Sequence, residues 1–332
     1  MVSQVNRKEL DKKIKKHLYS IKKVRHELSK IIVGQDAIIN GFLRGVISNG
    51  HILVEGVPGI AKTLTVRALS AIMACRFSRI QFTPDLLPTD IIGLTTYEKE
   101  RGFYVLKGPI FSNFVIADEI NRAPPKVQSA LLEAMAEHQA TIGKETFSLP
   151  FPFFVLATQN PIETLGTYPL PEAQLDRFLF KLNIVYPNMD EEQVILKRNI
   201  NLGKFEDFNL KPILSPEGIF ELQEDAKKIY LDRKIERYIV RIIDASRNPL
   251  KYNIKVGKYV DWGASPRASI GMFIAAKATA LLKGSSFVTP HYVKEVAPDI
   301  LRHRILINYE GQSEGITTDQ IITEILSKVP VP

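Results

Sequence analysis

The stretch His51-Ile52-Leu53-Val54-Glu55-Gly56-Val57-Pro58-Gly59-Ile60-Ala61-Lys62-Thr63 decides the fold. Its first five residues form an apolar run that reads as a buried strand, and the residues after Lys62 read as a helix. A glycine-bearing turn between strand and helix is the setting in which a backbone cradles phosphate. Gly56 and Gly59 let successive N–H groups face inward onto phosphate oxygens, and the helix N-terminus adds partial positive charge. Lys62 is placed to bridge β- and γ-phosphates, and Thr63 to offer its hydroxyl to Mg²⁺. Ala61 stands where the general pattern has glycine, and a residue already in right-handed helical conformation tolerates the methyl. The alternative is a Gly-Pro turn at an ordinary strand-to-helix junction, against which the Lys-Thr pair at this spacing argues. By itself the loop implies only that a nucleoside triphosphate binds.

Outward from this loop, short apolar runs alternate with helical stretches, the rhythm of an α/β sheet domain. The strands expected are His51–Glu55, Arg79–Phe82, Asn113–Ala117, Phe153–Thr158 and Phe178–Leu182. Helices are expected after Lys62 and after Pro125, the latter with Val127, Leu131, Ala134 and Met135 on one face. Beyond Tyr186-Pro187 helical periodicity takes over. Leu222, Ala226 and Ile229 mark one helix, Ile235, Ile239 and Ile242 a second, and Ile270, Phe273 and Ala276 to Leu281 a third. Thr289-Pro290 is expected to cap a fourth, and Asp319 a short last one. Trp262 reads as a packing residue. The organisation expected is a basic amphipathic helix over residues 1–30, a nucleotide-binding α/β domain over 31–187 and a helical lid over 188–332.

A second constellation brings chemistry to the sheet. Phe114-Val115-Ile116-Ala117-Asp118-Glu119 sets four apolar residues ahead of two carboxylates, which emerge at the C-terminal edge of a buried parallel strand. Asp118 would hold Mg²⁺ and Glu119 would polarise the attacking water. Neighbouring side chains on a strand point to opposite faces, so the pair must sit where the strand breaks; Ile120-Asn121-Arg122-Ala123-Pro124-Pro125 supplies the break. Phe154 to Pro161 is another buried strand ending in polar residues, with Asn160 suited to orient the water. A solvent-exposed acidic turn and a plain Asn-Pro turn are the alternative readings.

The order of these pieces resembles the AAA+ ATPases and, within them, the MoxR family. The likeness is carried by Val33-Gly34-Gln35, Gly56–Thr63, Gln81–Gly93, Lys107–Phe111, Asp118–Ala123, Ala157–Pro161, Tyr168–Phe178 and Gly263–Ala268. It implies a doubly wound parallel sheet of order 5-1-4-3-2 followed by an all-α lid. Val33, Gly34, Gly56, Val57, Pro58, Gly59, Ile60, Ala61, Lys62, Thr63 and Leu64 would then contact ATP together with Asp118, and Thr63 and Asp118 would hold Mg²⁺. Glu119 would be the catalytic base and Asn160 the first sensor. Arg177 would be the arginine finger reaching a neighbouring subunit's nucleotide, and Arg267 the second sensor. Arg122 is a rival finger. Ion pairing of Arg177 with Asp176 and a plain helix-surface position for Arg267 are the structural alternatives. Asp90–Phe111 looks like an insertion on the second helix, and Gln139–Pro150 like a β-hairpin turning at Gly143.

Composition narrows the classes. The chain has 332 residues, 45% of them hydrophobic and 24% charged, which excludes wholesale disorder and collagen-like repeats. A single cysteine, Cys75, excludes a disulfide scaffold and fits a reducing compartment. No signal-peptide core or transmembrane run stands out, so a cytoplasmic protein is expected. Six histidines show no metal-ligand spacing, which leaves nucleotide-bound Mg²⁺ as the metal expected. The net charge of +8 first points to nucleic acid. Residues 1–30, however, carry ten Lys or Arg against three acids, and the remainder 34 basic against 33 acidic residues. The excess therefore belongs to one helix, whose Leu10, Ile14, Leu18, Ile21, Val24 and Leu28 form an apolar stripe. The function expected by resemblance is ATP hydrolysis coupled to remodelling, maturation or cofactor insertion of a protein client. A ring homo-oligomer, a hexamer, and a partner with a von Willebrand factor A domain go with it. A nucleic-acid motor using the basic helix and a nucleotide-gated scaffold without turnover are the alternatives.

Overall fold

The computed structural model describes residues 4–56, 62–100, 102–160, 166–184, 186–199 and 204–332. Its central sheet consists of β1 (Ile52–Gly56), β2 (Phe77–Gln81), β3 (Phe114–Asp118), β4 (Phe154–Gln159) and β5 (Phe180–Ile184) in the order 2-3-4-1-5. Read from the other edge this is 5-1-4-3-2, the order expected. The β2–β3, β3–β4 and β4–β1 pairs are parallel, with Ile116 opposite Leu156 and Leu53 opposite Ala157. Strands covered on both faces need unbroken apolar runs, and Ile52 to Val54, Phe114 to Ala117 and Phe154 to Ala157 are all buried.

The chain divides into two compact units. One comprises Ser20–Phe178 and Leu182–Phe220; the other comprises residues up to Tyr19, Leu179–Lys181 and Glu221–Pro332. The first holds the sheet. Its helices include the second part of α1 (Gln4–Leu28), then α2 (Asp36–Ile47), α3 (Lys62–Ile72) and α4 (Pro125–Glu137). Val127, Leu131, Leu132 and Met135 of α4 pack with Val115, Ala117, Val155 and Ala157 in one continuous core. Two antiparallel hairpins project from this unit, Gly93–Glu98 with Gly102–Lys107, and Gln139–Ile142 with Glu145–Ser148. The second turns at Gly143, whose φ of +64° favours glycine.

The helical unit carries α5 (Pro216–Lys227, shared with the first unit), α6 (Arg233–Arg247), α7 (Pro266–Leu282), α8 (Pro290–Leu301) and α9 (Thr318–Lys328). It also contains a short antiparallel pair, Val260–Trp262 with Leu306–Ile307. Several local expectations are corrected. Ile229 is buried but lies beyond the end of α5. Thr289 occupies the N-cap of α8 without a side-chain cap bond. Thr317, and not Asp319, caps α9, in a reciprocal box with Gln320. Asp319 is drawn off instead to Arg302, whose Nε lies 2.9 Å from Oδ1. Trp262 is 68% exposed, so it fills no core.

The apolar stripe of α1 is buried at Ile14, Ile21, Val24 and Leu28, while Lys12, Lys13, Lys15, Lys16, Lys22 and Lys23 face solvent. Within the helical unit His17 Nε2 lies 2.9 Å from Asp225 Oδ2. Within the sheet unit Glu27 Oε2 accepts the Lys211 N–H at 3.1 Å. No helix among the described residues is long and apolar enough to cross a membrane.

Candidate functional site

In open α/β sheets the C-terminal ends of the strands form the functional edge. At that edge β1 ends on Gly56 and α3 begins on Lys62. Val57, Pro58, Gly59, Ile60 and Ala61 lie outside the described residues. Gly56 is required by close approach, since a Cβ there would stand 2.5 Å from the Ile184 carbonyl oxygen of β5. Lys62 is half-buried and donates to the Gly56 carbonyl at 2.9 Å, so it folds back over the end of the strand. Burial lowers its pKa, while the nearby Asp118, Glu119 and Glu55 oppose the shift. Thr63 and Leu64 follow in the first turn of α3, both half-buried.

The acidic pair takes the broken-strand geometry expected. Asp118 is the last residue of β3, and Glu119 turns out of the strand at φ +57°, a left-handed conformation uncommon for a residue with a side chain. A short 3₁₀ turn, Ile120–Arg122, follows. From β4, the Thr158 hydroxyl donates to Asp118 Oδ1 at 2.7 Å, and its oxygen accepts the Glu119 N–H at 2.8 Å. From β2, Arg79 donates to Asp118 Oδ2 at 2.7 Å and Gln81 Nε2 to Glu119 Oε2 at 3.0 Å. Arg122 also donates to Glu119 Oε2, at 2.9 Å. The Asp118 carboxylate is therefore anchored from both strands that flank β3, and the Glu119 carboxylate from β2 and from Arg122 of its own turn.

Asn160 is half-buried directly after β4, on the same edge of the sheet. Gly34, with φ +65°, stands just before α2; a Cβ there would fall on the Glu191 side chain, and Val33 beside it is half-buried. Arg177 is exposed, and its NH1 donates to the Leu132 carbonyl at 2.8 Å. Arg122 is tied to Glu119 of its own chain. Arg267 is exposed in the first turn of α7, where the Ser265 hydroxyl caps its N–H at 3.2 Å. Among the described residues no group of three His, Cys, Asp or Glu side chains could hold a metal. Thr158, Arg79, Gln81 and Gln128 bear on the site without having been singled out from sequence. Their contacts depend on which strands are neighbours, and of the four only Gln81 and Thr158 belong to stretches that carry the family resemblance.

Residues 51–180 match the model of the ATPase family associated with various cellular activities, and residues 255–325 match an AAA lid domain. The chain is 46% identical over 317 residues to chaperone MoxR1 of Mycobacterium tuberculosis, covering 95% of this chain and 83% of that protein. It belongs to the MoxR family of AAA+ ATPases. Protein MoxR of Paracoccus denitrificans is 28% identical, with 92% and 94% covered. A crystal structure of a Cytophaga hutchinsonii protein assigned as an ATPase superposes with a TM-score of 0.92 at 47% identity, covering 98% of each chain. This MoxR-family chain is thus a nucleotide-binding ATPase with the AAA+ α/β core and a helical lid region. The family assignment accounts for the position of Gly56, Lys62, Asp118 and Glu119 on one sheet edge.

Proposed function

We propose that this MoxR-family ATPase couples ATP hydrolysis to the remodelling, maturation or cofactor loading of a protein client. The observation that carries the reading is the placement of Asp118 and Glu119, clamped through Thr158, on the edge where Lys62 closes over the end of β1. In this reading Lys62 binds the β- and γ-phosphates, with Gly56 to Leu64 and the Val33-Gly34 segment forming the rest of the nucleotide contacts. Glu119 takes the proton of the attacking water, and Asn160 holds that water in line. Arg177 of one subunit reaches the nucleotide of the next, and Arg267 contacts the γ-phosphate from the helical unit.

Mg²⁺ fits the residues present. The Thr63 hydroxyl and Asp118 carboxylate are hard oxygen donors, and one or two of these plus phosphates suffice for Mg²⁺. When bound, it neutralises charge developing on the transferred phosphoryl group. Thr158 holds Asp118 Oδ1 and Arg79 holds Oδ2, so the carboxylate is aimed from both sides and would meet the ion through its remaining lone pairs.

An arginine supplied in trans requires a neighbour, so the active form is proposed to be a ring homo-oligomer, a hexamer, acting in the cytoplasm. A partner carrying a von Willebrand factor A domain is proposed to deliver or recognise the client. Relatives that match along nearly the whole chain include one named a chaperone, MoxR1, and one named MoxR, which favours a protein client over the nucleic-acid motor.

Steady-state phosphate release by Glu119→Gln tests the site. The variant is expected to bind ATP and retain it unhydrolysed; release at the wild-type rate would overturn the assignment of the base. Added DNA or RNA is expected to leave turnover unchanged and to show no salt-dependent retention of the protein.

A further inference from the structure

Gln128 is a polar side chain with no solvent exposure in the middle of an otherwise apolar face of α4. Its Nε2 donates to three backbone carbonyls, Ile120 at 3.1 Å, Ala123 at 3.1 Å and Tyr168 at 2.9 Å. Its Oε1 is buried and has no hydrogen-bond partner. Turning the amide over would set that oxygen against three carbonyl oxygens, so only this orientation is compatible with its surroundings. An acceptor left unpaired in the core is a cost, and an isosteric Met would avoid it. What glutamine supplies, and Met would not, is a pair of donors to the backbone of two separate loops.

Those loops are the ones the proposed site depends on. Ile120 and Ala123 belong to the turn that begins at Glu119 and contains Arg122. Tyr168 opens the segment that runs through Glu172–Leu175 to Arg177, and its own N–H is bound to the Asn121 carbonyl at 2.6 Å. One helical turn along α4 from Gln128, the Leu132 carbonyl receives the Arg177 guanidinium at 2.8 Å. A single face of α4 thus holds the turn of Glu119 through Gln128, the approach to Arg177 through Gln128, and the Arg177 head group through Leu132.

We infer that Gln128 is a positioning residue that locks the Glu119 turn to the Arg177 segment, so that the base of one site and the arginine offered to the neighbouring site move as one body. The inference rests on the proposed roles of Glu119 and Arg177. Gln128 touches no reacting atom. It acts by fixing the separation of two backbone segments that have no covalent reason to stay in register.

The test uses the full-length protein and three readouts: kcat for phosphate release, affinity for a fluorescent ATP analogue, and thermal midpoint. Gln128→Met keeps volume and removes both donors; it is expected to lower kcat by about tenfold or more while nucleotide affinity stays within about twofold. Gln128→Glu, whose buried carboxyl stays protonated and keeps one O–H donor, is expected to fall between wild type and Gln128→Met. In an Arg177→Ala background, Gln128→Met is expected to lower the residual rate by no more than about twofold, because residues acting as a unit are not additive. A wild-type kcat for Gln128→Met, or a loss that carries over undiminished onto Arg177→Ala, would overturn the inference. If Gln128→Met does not fold, the same comparison with Gln128→Glu decides. Should Glu119→Gln and Arg177→Ala both turn over normally, it is the reading of the site that fails, and the inference with it.

Discussion

Thr158 donates its hydroxyl hydrogen to Asp118 Oδ1 at 2.7 Å while the same oxygen accepts the Glu119 backbone N–H at 2.8 Å. One side chain of β4 therefore fixes both the direction of the Asp118 carboxylate and the left-handed turn at Glu119. Thr158→Val preserves shape and burial but removes the donor and leaves the Glu119 N–H without that partner. An unsatisfied buried group of this kind costs about 1–3 kcal/mol, so the thermal midpoint should fall, and turnover should drop on the order of tenfold. Thr158→Ser keeps the hydroxyl and is expected to stay near wild type. Equal phosphate release by the Val variant would show that the bridge is incidental.

The two arginines near the acidic turn make different predictions. Arg122 is bound within its own chain to Glu119, whereas Arg177 is exposed and donates to the Leu132 backbone carbonyl. If Arg177 serves a neighbouring subunit, Glu119→Gln and Arg177→Ala should each be inactive alone. Mixed together, they should regain activity, because a subunit with an intact Glu119 can then sit beside one with an intact Arg177. An arginine finger is worth roughly 10³–10⁵ in rate, so even partial mixing gives a clear signal. Activity that stays absent across all mixing ratios, with subunit exchange verified, would rule out action in trans.

How far the sequence carries depends on whether a feature is local. The Gly56 and Lys62 spacing and the Asp118-Glu119 pair after four apolar residues are local patterns, and the sheet edge followed from them, whereas the strand order came from the family resemblance. The bond between Thr158 and Asp118 is not local: it requires β3 and β4 to pair with Ala117 opposite Ala157, one step before the site. Gln128 is invisible for the same reason, since its three acceptors, Ile120, Ala123 and Tyr168, come from two loops far apart in the sequence. The cap of α9 shows the ambiguity at short range. Thr317 and Asp319 are both good capping residues, and Arg302, brought in by the tertiary fold, takes Asp319 out of the competition. Trp262, read as a packing residue, is presented outward by the short strand it ends.

Gly56 ends β1 where β5 passes closest. Alanine at this position would place its Cβ 2.5 Å from the Ile184 carbonyl oxygen, a backbone atom that cannot swing aside. The strand end, and with it the carbonyl that receives Lys62, must shift. Gly56→Ala is expected to lose most nucleotide affinity, measured by equilibrium titration of a fluorescent ATP analogue. An overpacked contact of this sort costs about 1–3 kcal/mol in stability as well. Wild-type affinity in a folded Gly56→Ala protein would mean that the strand end adapts freely.

His51 sits at the start of β1, far from the phosphate edge, and answers to acid rather than to nucleotide. Its Nδ1 accepts the Val155 N–H at 3.1 Å, so the ring proton lies on Nε2, 3.2 Å from the Met135 carbonyl. Burial, first of all, pushes its pKa down to about 4 from an ordinary 6.5; the Met135 carbonyl opposes this and His138 adds to it. The folded state thus refuses a proton that the unfolded chain accepts. The stabilisation is complete above about pH 6.5 and is lost as the pH falls from there through about 4, by a total of about 3 kcal/mol. His51→Asn, with a carbonyl oxygen in place of Nδ1, should be less stable at neutral pH because ring packing against Phe153 is gone. Its deficit relative to wild type should shrink steadily between pH 7 and about pH 4.5, as read from denaturant midpoints at each pH. A deficit that is the same at every pH would mean that His51 gains its proton as readily in the folded protein as in the unfolded one.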